Sequence, residues 1–440
     1  MIRSLLIANR GEIAVRIIRA CKELGIRTIA VYSEADRHAL HVKMADQAIC
    51  IGPPPSKDSY LNISNIVSAA LNSRADAVHP GVGFLSEKAE FARKVQEAGL
   101  VWVGPDPDAI DMLGDKIRSK ENATKYGVPC TPGIEGAITN IDETVAKVKK
   151  MGLPVIIKAS AGGGGKGMRI VRKIEDLADN IKIASNEAEK SFNDGTVFIE
   201  KYLENAAHIE LQMMGDKHGN VIYLGERDCS VQKNHQKLVE ESPSTLVTPE
   251  IRKKMGEDAV RLFKGIGYSC AGTIEFLFKD GQYYFMEVNS RIQVEHPVTE
   301  MVTGVDLIKE MIRVSNGEPL SVKQEDIRLD GYAMEIRVNA TSPGTVKEYL
   351  PPSGFKVRVD SFLYNGYTVP ATYDAMVAKV IIGAPTRAEG ISKMLAVLDE
   401  FHLVGVPVNL ELQKKIINTS VFRKGGFGTN VLESIMKEIE

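Results

Sequence analysis

The stretch TIEFLFKDGQYYFMEVN, residues 273–289, reads as two strands joined at Asp280-Gly281. Aliphatic and aromatic residues fill both arms, and Asp-Gly is a strong hairpin signal. Three polar residues interrupt the apolar pattern: Glu275, Glu287 and Asn289. Glu287 and Asn289 lie two apart on one strand and share a face. Glu275 joins that face if the turn has an odd residue count, such as Asp280-Gly281-Gln282; a two-residue Asp-Gly turn puts it on the other side. Two carboxylates and an amide oxygen among apolar neighbours make an oxygen-rich site for Mg²⁺ that leaves room for phosphates and water. The plainer alternative is an exposed hairpin with one polar face.

Working outward, SRIQVEHP (290–297) alternates Arg291, Gln293 and Glu295, which sets a cation, an amide and a carboxylate on one side. That arrangement suits a small oxyanion and offers a base. His296, before Pro297, reads as a packed histidine. QKNHQK (232–237) adds His235 and Lys237, and is equally readable as a solvated loop. Further upstream, strands at 155–159 and 168–171 flank SAGGGGKG (160–167). Gly162–Gly165 can close backbone N–H groups onto phosphate oxygens. It is not a P-loop, because Lys166 is followed by Gly167 and then by a strand. A glycine loop between strands suits a lid over a triphosphate; a flexible linker is the alternative. Lys158, on an otherwise apolar strand, costs desolvation unless it meets an anion. Lys116 is as easily solvated.

The first third alternates strands (4–8, 27–32, 45–51, 75–79, 100–104) with helices (13–24, 60–71, 87–98), which implies a parallel sheet covered on both faces. No GxGxxG follows the first strand, so a dinucleotide site has little support. Later segments read as antiparallel hairpins, 209–213 with 221–225 among them, and a third region runs from about Gly331 to a helical tail. The expected class is α/β and α+β: a Rossmann-like N-terminal unit, an antiparallel central unit and a smaller C-terminal α+β cap.

With 440 residues, 55 Lys plus Arg, 57 Asp plus Glu and a net charge of -2, there is no general electrostatic case for nucleic acid or an anionic membrane as partner. Five scattered cysteines without a CxxC pair argue against a zinc ribbon or disulfide framework and for a reducing compartment. The N-terminal apolar run is too short for a signal peptide, and no stretch of about 18 apolar residues suggests a membrane span. A cytoplasmic protein is expected.

Lys116, Lys158 with GGGGKGM, Glu200-Lys-Tyr-Leu203, the Glu275/Glu287/Asn289 trio and RIQVEHP together resemble the ATP-grasp superfamily, and within it the biotin carboxylases. HPGVGFLSE (79–87), ERDCSVQKNHQK (226–237) and MEVNSRIQVEHPVTEMVTGVDL (286–307) carry the resemblance, which spans nearly the whole chain. It implies a biotin carboxylase N-terminal domain at 1–113, an ATP-grasp domain at 114–330 with a lid at about 131–203, and a C-terminal domain at 331–440. Lys116, Lys158, Gly164 and Gly165 are implied to contact ATP phosphates. Glu200, Lys201, Tyr202 and Leu203 would address adenine, and His208 and His235 would lie on the ribose and phosphate side. Glu275, Glu287 and Asn289 would hold Mg²⁺ or Mn²⁺. Lys237, Arg291, Gln293 and the backbone of Val294 would bind bicarbonate, Glu295 would take its proton, and Arg337 would meet biotin.

The implied activity is ATP-dependent carboxylation of biotin through carboxyphosphate. No Met-Lys-Met biotinylation sequence occurs, so biotin is expected on a separate biotin carboxyl carrier protein. A standalone subunit of a biotin-dependent carboxylase such as acetyl-CoA carboxylase, working with carboxyltransferase subunits, is implied. The final acceptor is left open among acetyl-CoA, propionyl-CoA and pyruvate. A homodimer is expected, with the helix stripe Arg16, Arg19 and Glu23 resembling a family contact, whereas the segment between Gly354 and Val357 reads as shorter than in the family. The rival readings are another ATP-grasp ligase, forming an acyl phosphate for an amine, and a nucleotide-sensing scaffold. Arg291–His296 and Arg337 argue against both.

Overall fold

The computed structural model describes residues 1–134, 138, 140–160, 168–234 and 236–439. The glycine loop with Gly164 and Gly165, and His235, lie outside the described residues.

Strand Ser4–Ile7 is buried along its length and pairs in parallel with Arg27–Ser33 on one side and Ala77–His79 on the other. Gln47–Gly52 and Val101–Trp102 complete a five-stranded parallel sheet, the doubly wound arrangement expected from the strand–helix alternation. The ends of its central strands lead into Asn9–Gly11 and Pro80–Phe84, the crevice where such sheets bind ligands. Asn9 Nδ2 donates to the carbonyls of Pro80 (2.7 Å) and Val82 (2.8 Å). Gly81 fits between them at φ +66°, where an added Cβ would fall 2.8 Å from the Asn9 amide. The helix expected from residue 60 begins at Ile63, capped by the Asn62 side chain. Tyr60 owes its place in the apolar pattern to burial: its hydroxyl donates to Asp36 at 2.6 Å.

The central and C-terminal regions share one eight-stranded sheet. Its order is Gln282–Asn289, Cys270–Lys279, Ala207–Gly215, Val221–Lys233, Gln236–Ser242, Tyr332–Asn339, Met376–Ala384 and Val357–Ser361. All the neighbours pair antiparallel. The C-terminal strands therefore extend the central sheet rather than form a separate layer. A three-stranded antiparallel sheet, Arg169–Val171, Val155–Ala159 and Val197–Lys201, stands apart from it with helices Ile141–Met151 and Leu177–Phe192 packed on its apolar face.

The hairpin combines both outcomes weighed for it. Lys279 pairs with Gln282, so the turn is the two-residue Asp280-Gly281, with both residues at positive φ. Phe276 pairs with Phe285, but Glu275 pairs with Glu287, because Met286 is an extra residue in a β-bulge. The bulge shifts the register by one and returns Glu275 to the face of Glu287 and Asn289. An odd-residue turn is thus unnecessary.

Helix Gly11–Glu23 carries the stripe expected at a subunit contact. Within the chain Arg16 is buried, 2.9 Å from Glu300 and 2.7 Å from Asp306. Arg19 and Glu23 are exposed, and Glu23 pairs with Lys309 at 2.5 Å. The turn Gly354–Lys356 leads directly into Val357–Ser361, with Phe355 85 % exposed. Among the described residues no helix is long and apolar enough to cross a membrane.

Candidate active site

Three alternate residues of the buried strand Ala207–Gly215 are polar: His208, Glu210 and Gln212. Antiparallel pairing places Glu210 beside Glu275 on one flank and beside Arg227 on the other. Glu275 in turn pairs with Glu287. One sheet face thus carries a row of charges that would be prohibitively costly unpaired. Arg227 answers Glu210 at 2.6 Å and also donates to Gln212 (2.8 Å) and Thr299 (2.9 Å). This face floors a cavity of about 1450 Å³, which the ends of the parallel sheet and the three-stranded sheet also line.

Helix His296–Thr303 packs across the sheet and brings the preceding loop over its centre. Glu295, at the helix start, is 1 % exposed. Its two oxygens are held from opposite sides, by Lys237 Nζ at 2.5 Å and by an Arg337 guanidinium nitrogen at 3.0 Å. Burial opposes its ionisation, but Lys237, Arg337 and Arg227 outweigh burial and hold the carboxyl well below the usual carboxylate range. Lys237 also meets Glu210 at 2.6 Å and Glu275 at 3.4 Å. Arg337 meets Glu240 at 2.6 Å. Burial pushes Glu240 up to about 7 against the pull of Arg337.

Arg291 donates to Glu87 (2.9 Å), Gln293 (3.0 Å) and Asn289 (3.2 Å). Gln293 and Asn289 donate to the same Glu275 oxygen, at 3.1 and 2.8 Å. The alternation Arg291, Gln293, Glu295 read from sequence is therefore brought to one place. Val294 lies in the cavity wall beside them.

At the other end of the cavity, Lys158 and Lys120 each approach Glu200 at 2.6 Å. Burial favours the neutral acid here, yet the two ammonium groups bring Glu200 down to about 2. Lys116 lies 3.0 Å from Glu287. Tyr202 and Leu203 line the same wall, whereas the Lys201 ammonium reaches the Leu153 carbonyl at 2.8 Å. His208 contacts Glu275 at 2.9 Å; that carboxylate outweighs burial and raises the imidazole pKa.

Glu275, Glu287 and Asn289 supply an all-oxygen donor set, which fits a hard divalent cation such as Mg²⁺ or Mn²⁺. The positive groups Lys237, His208 and Lys116 lie against these carboxylates. Among the described residues, buried metal-type donors gather as His208, Glu210 and Glu275 and as Glu210, Cys229 and Glu295, so Glu210 stands closer to Glu275 than sequence spacing suggests. Sequence reasoning also missed Lys120, Arg227, Glu240 and Glu87. Cys229 is fully buried, and burial pushes its thiol pKa well up, as for an inert packed cysteine.

Family models match along most of the chain. Residues 1–110 match the biotin carboxylase N-terminal domain and residues 334–434 the biotin carboxylase C-terminal domain. Residues 115–323 match the ATP binding domain of the carbamoyl-phosphate synthase L chain. Biotin carboxylase 1 of Bacillus subtilis is 53% identical over 444 residues, 99% of each chain. The chain belongs to the biotin carboxylase family. The biotin carboxylase of Haemophilus influenzae is 50% identical over 98% of each chain. Among solved structures, the biotin carboxylase–beta-gamma-ATP complex of Campylobacter jejuni matches with a TM-score of 0.96 at 44% identity, over 99% of each chain. The biotin carboxylase domain dimer of the Hydrogenobacter thermophilus 2-oxoglutarate carboxylase, in complex with MgADP, ADP and bicarbonate, matches with a TM-score of 0.95 at 47% identity. It covers 100% of this chain and 99% of that one. The three-part biotin carboxylase fold, with a Rossmann-like sheet, an ATP-grasp region and a C-terminal α+β region, is thus the architecture described above.

Proposed function

We propose a division of labour along the cavity for the reaction of this family, the ATP-dependent carboxylation of biotin with bicarbonate. The observation that carries it is Glu295, held between Lys237 and Arg337 in the same cavity as the Lys158–Glu200 pair. Lys116 and Lys158, with Gly164 and Gly165, take the ATP phosphates, while Glu200, Lys201, Tyr202 and Leu203 take the adenine side. His208 and His235 flank the ribose and phosphates. Glu275, Glu287 and Asn289 would hold a divalent cation, whose charge would offset that developing on the γ-phosphoryl group.

Lys237, Arg291, Gln293 and the Val294 amide hold bicarbonate against the γ-phosphorus. Glu295, ionised before substrate arrives, accepts the bicarbonate proton as the oxygen attacks. When bicarbonate draws Lys237 away from it, the ion pair that depresses Glu295 weakens and the carboxylate becomes a stronger base. The phosphorus–oxygen bond to ADP breaks, and carboxyphosphate forms. It releases CO₂ and phosphate, phosphate removes the ureido N–H proton of biotin, and the nitrogen adds to CO₂. Arg337 stabilises the negative charge on the ureido oxygen. The region at about 131–203 acts as a lid that keeps carboxyphosphate from bulk water.

The domain division 1–113, 114–330 and 331–440 is supported by family matches that end and begin close to those boundaries. Biotin arrives as substrate on a separate carrier protein, and carboxyltransferase subunits complete the system in the cytoplasm. A homodimer is supported by the dimeric Hydrogenobacter relative. Bicarbonate-dependent phosphate release by the purified chain, stimulated by free biotin, tests the assignment. Turnover indifferent to both would return the protein to another ATP-grasp ligase.

A further inference from the structure

Lys379 is completely buried, yet no step above uses it. It stands on strand Met376–Ala384, opposite Arg337 on one neighbouring strand and Asp360 on the other. Its ammonium donates to the Val294 carbonyl at 2.6 Å and lies 3.2 Å from Glu12. Glu12 comes from helix Gly11–Glu23, so one side chain of the C-terminal region ties the N-terminal unit to the loop over the sheet. The charged groups facing it are Glu12, Glu335, Asp360 and Arg358, with His296 beyond them. Burial disfavours the ammonium, but Glu12, Glu335 and Asp360 outweigh it and keep Lys379 charged. Stability alone does not require such a group, because apolar residues of similar volume usually serve a core as well.

The Val294 carbonyl belongs to the peptide joining Val294 to Glu295. The preceding carbonyl, of Gln293, is held by the His296 ring at 2.8 Å. With both planes fixed, the Val294 N–H and the Glu295 carboxylate keep a set separation. We propose that Lys379 is a positioning residue for bicarbonate, acting through the Val294 carbonyl to set the Val294 amide and the Glu295 carboxylate at the spacing the anion spans. This rests on the bicarbonate reading of residues 291–295. A misplacement of 1 Å can cost on the order of 100-fold in rate, so one lost tether is measurable.

Lys379→Met keeps most of the volume and removes the donor. Because it leaves Glu12 without its cation, the double variant Lys379→Met/Glu12→Gln is made alongside. In steady-state assays of the full chain, both should raise the KM for bicarbonate about tenfold or more while the KM for MgATP stays within about twofold. Lys379→Arg, which keeps a donor, should recover part of the loss. Parallel changes in both KM values, or an unchanged bicarbonate KM in the folded double variant, overturn the proposal. Lys237→Met separates the two levels. If it raises the bicarbonate KM and the Lys379 variants do not, only the positioning role fails. If it too leaves that KM unchanged, the bicarbonate reading fails with it.

Discussion

Glu275 and Glu287 face one another across adjacent strands because Met286 bulges out of the ladder between them. The bulge converts a tight hairpin that would separate the carboxylates into one that joins them. Replacing Glu287 with Gln should raise the Mg²⁺ concentration for half-maximal ATP turnover by about tenfold or more, since losing even an outer partner of a metal ligand costs that much. A metal titration of phosphate release checks this, and an unchanged midpoint would remove Glu287 from the metal site.

Glu295→Gln keeps the shape of the side chain and removes the charge between Lys237 and Arg337. Bicarbonate-dependent turnover should fall by about 100- to 10,000-fold, the usual range for a lost general base. Nucleotide affinity, measured by calorimetry, should stay the same, because Glu200 and its lysines lie at the far end of the cavity.

Arg227 is the largest fully buried side chain and bonds to Glu210, Gln212 and Thr299. Arg227→Met leaves Glu210 without this partner and should cost about 3–5 kcal/mol in urea unfolding. A loss below about 1 kcal/mol would mean that Lys237 alone neutralises Glu210.

Among the histidines that burial holds neutral, His41 is lowered to about 4 and His79 to about 3 from the ordinary 6.5. Unfolded, they take up protons below pH 6.5, whereas folded they resist until near pH 4 and 3. Their contribution to stability is therefore whole above pH 6.5 and declines as the pH falls through that window. At about 1.4 kcal/mol per pH unit, His41 alone accounts for a loss on the order of 3 kcal/mol by pH 4. His41→Gln should flatten the dependence of unfolding free energy on pH between 7 and 4, and an unaltered slope would contradict this account.

Local pattern made the parallel sheet, the antiparallel hairpins and the loop at 290–297 readable. Strand–helix alternation reported the parallel sheet, and Arg291, Gln293 and Glu295 could be grouped because two-residue spacing is a local property. Partners from distant strands were not legible in that way. Lys379 interrupts an apolar strand as Lys158 does, and Glu210 and Glu240 are buried in theirs, so the same desolvation argument marks all three as needing partners. It does not say which partners, because Glu12, Arg227 and Arg337 arrive through pairing that spacing along the chain does not encode. The Met286 bulge was hidden for a related reason: turn length alone sets the register only while the ladder is unbroken. The shared eight-stranded sheet escaped notice because its joint, Gln236–Ser242 against Tyr332–Asn339, spans a large gap in sequence.

The cations Lys158, Lys237, Arg291 and Arg337 each already hold a carboxylate, namely Glu200, Glu295, Glu87 and Glu240. Substrate anions therefore enter by ion exchange, displacing internal counterions rather than quenching bare charge. Such a lining is selective in a way a plain positive pocket is not: an anion must outcompete an internal carboxylate at every cation it engages.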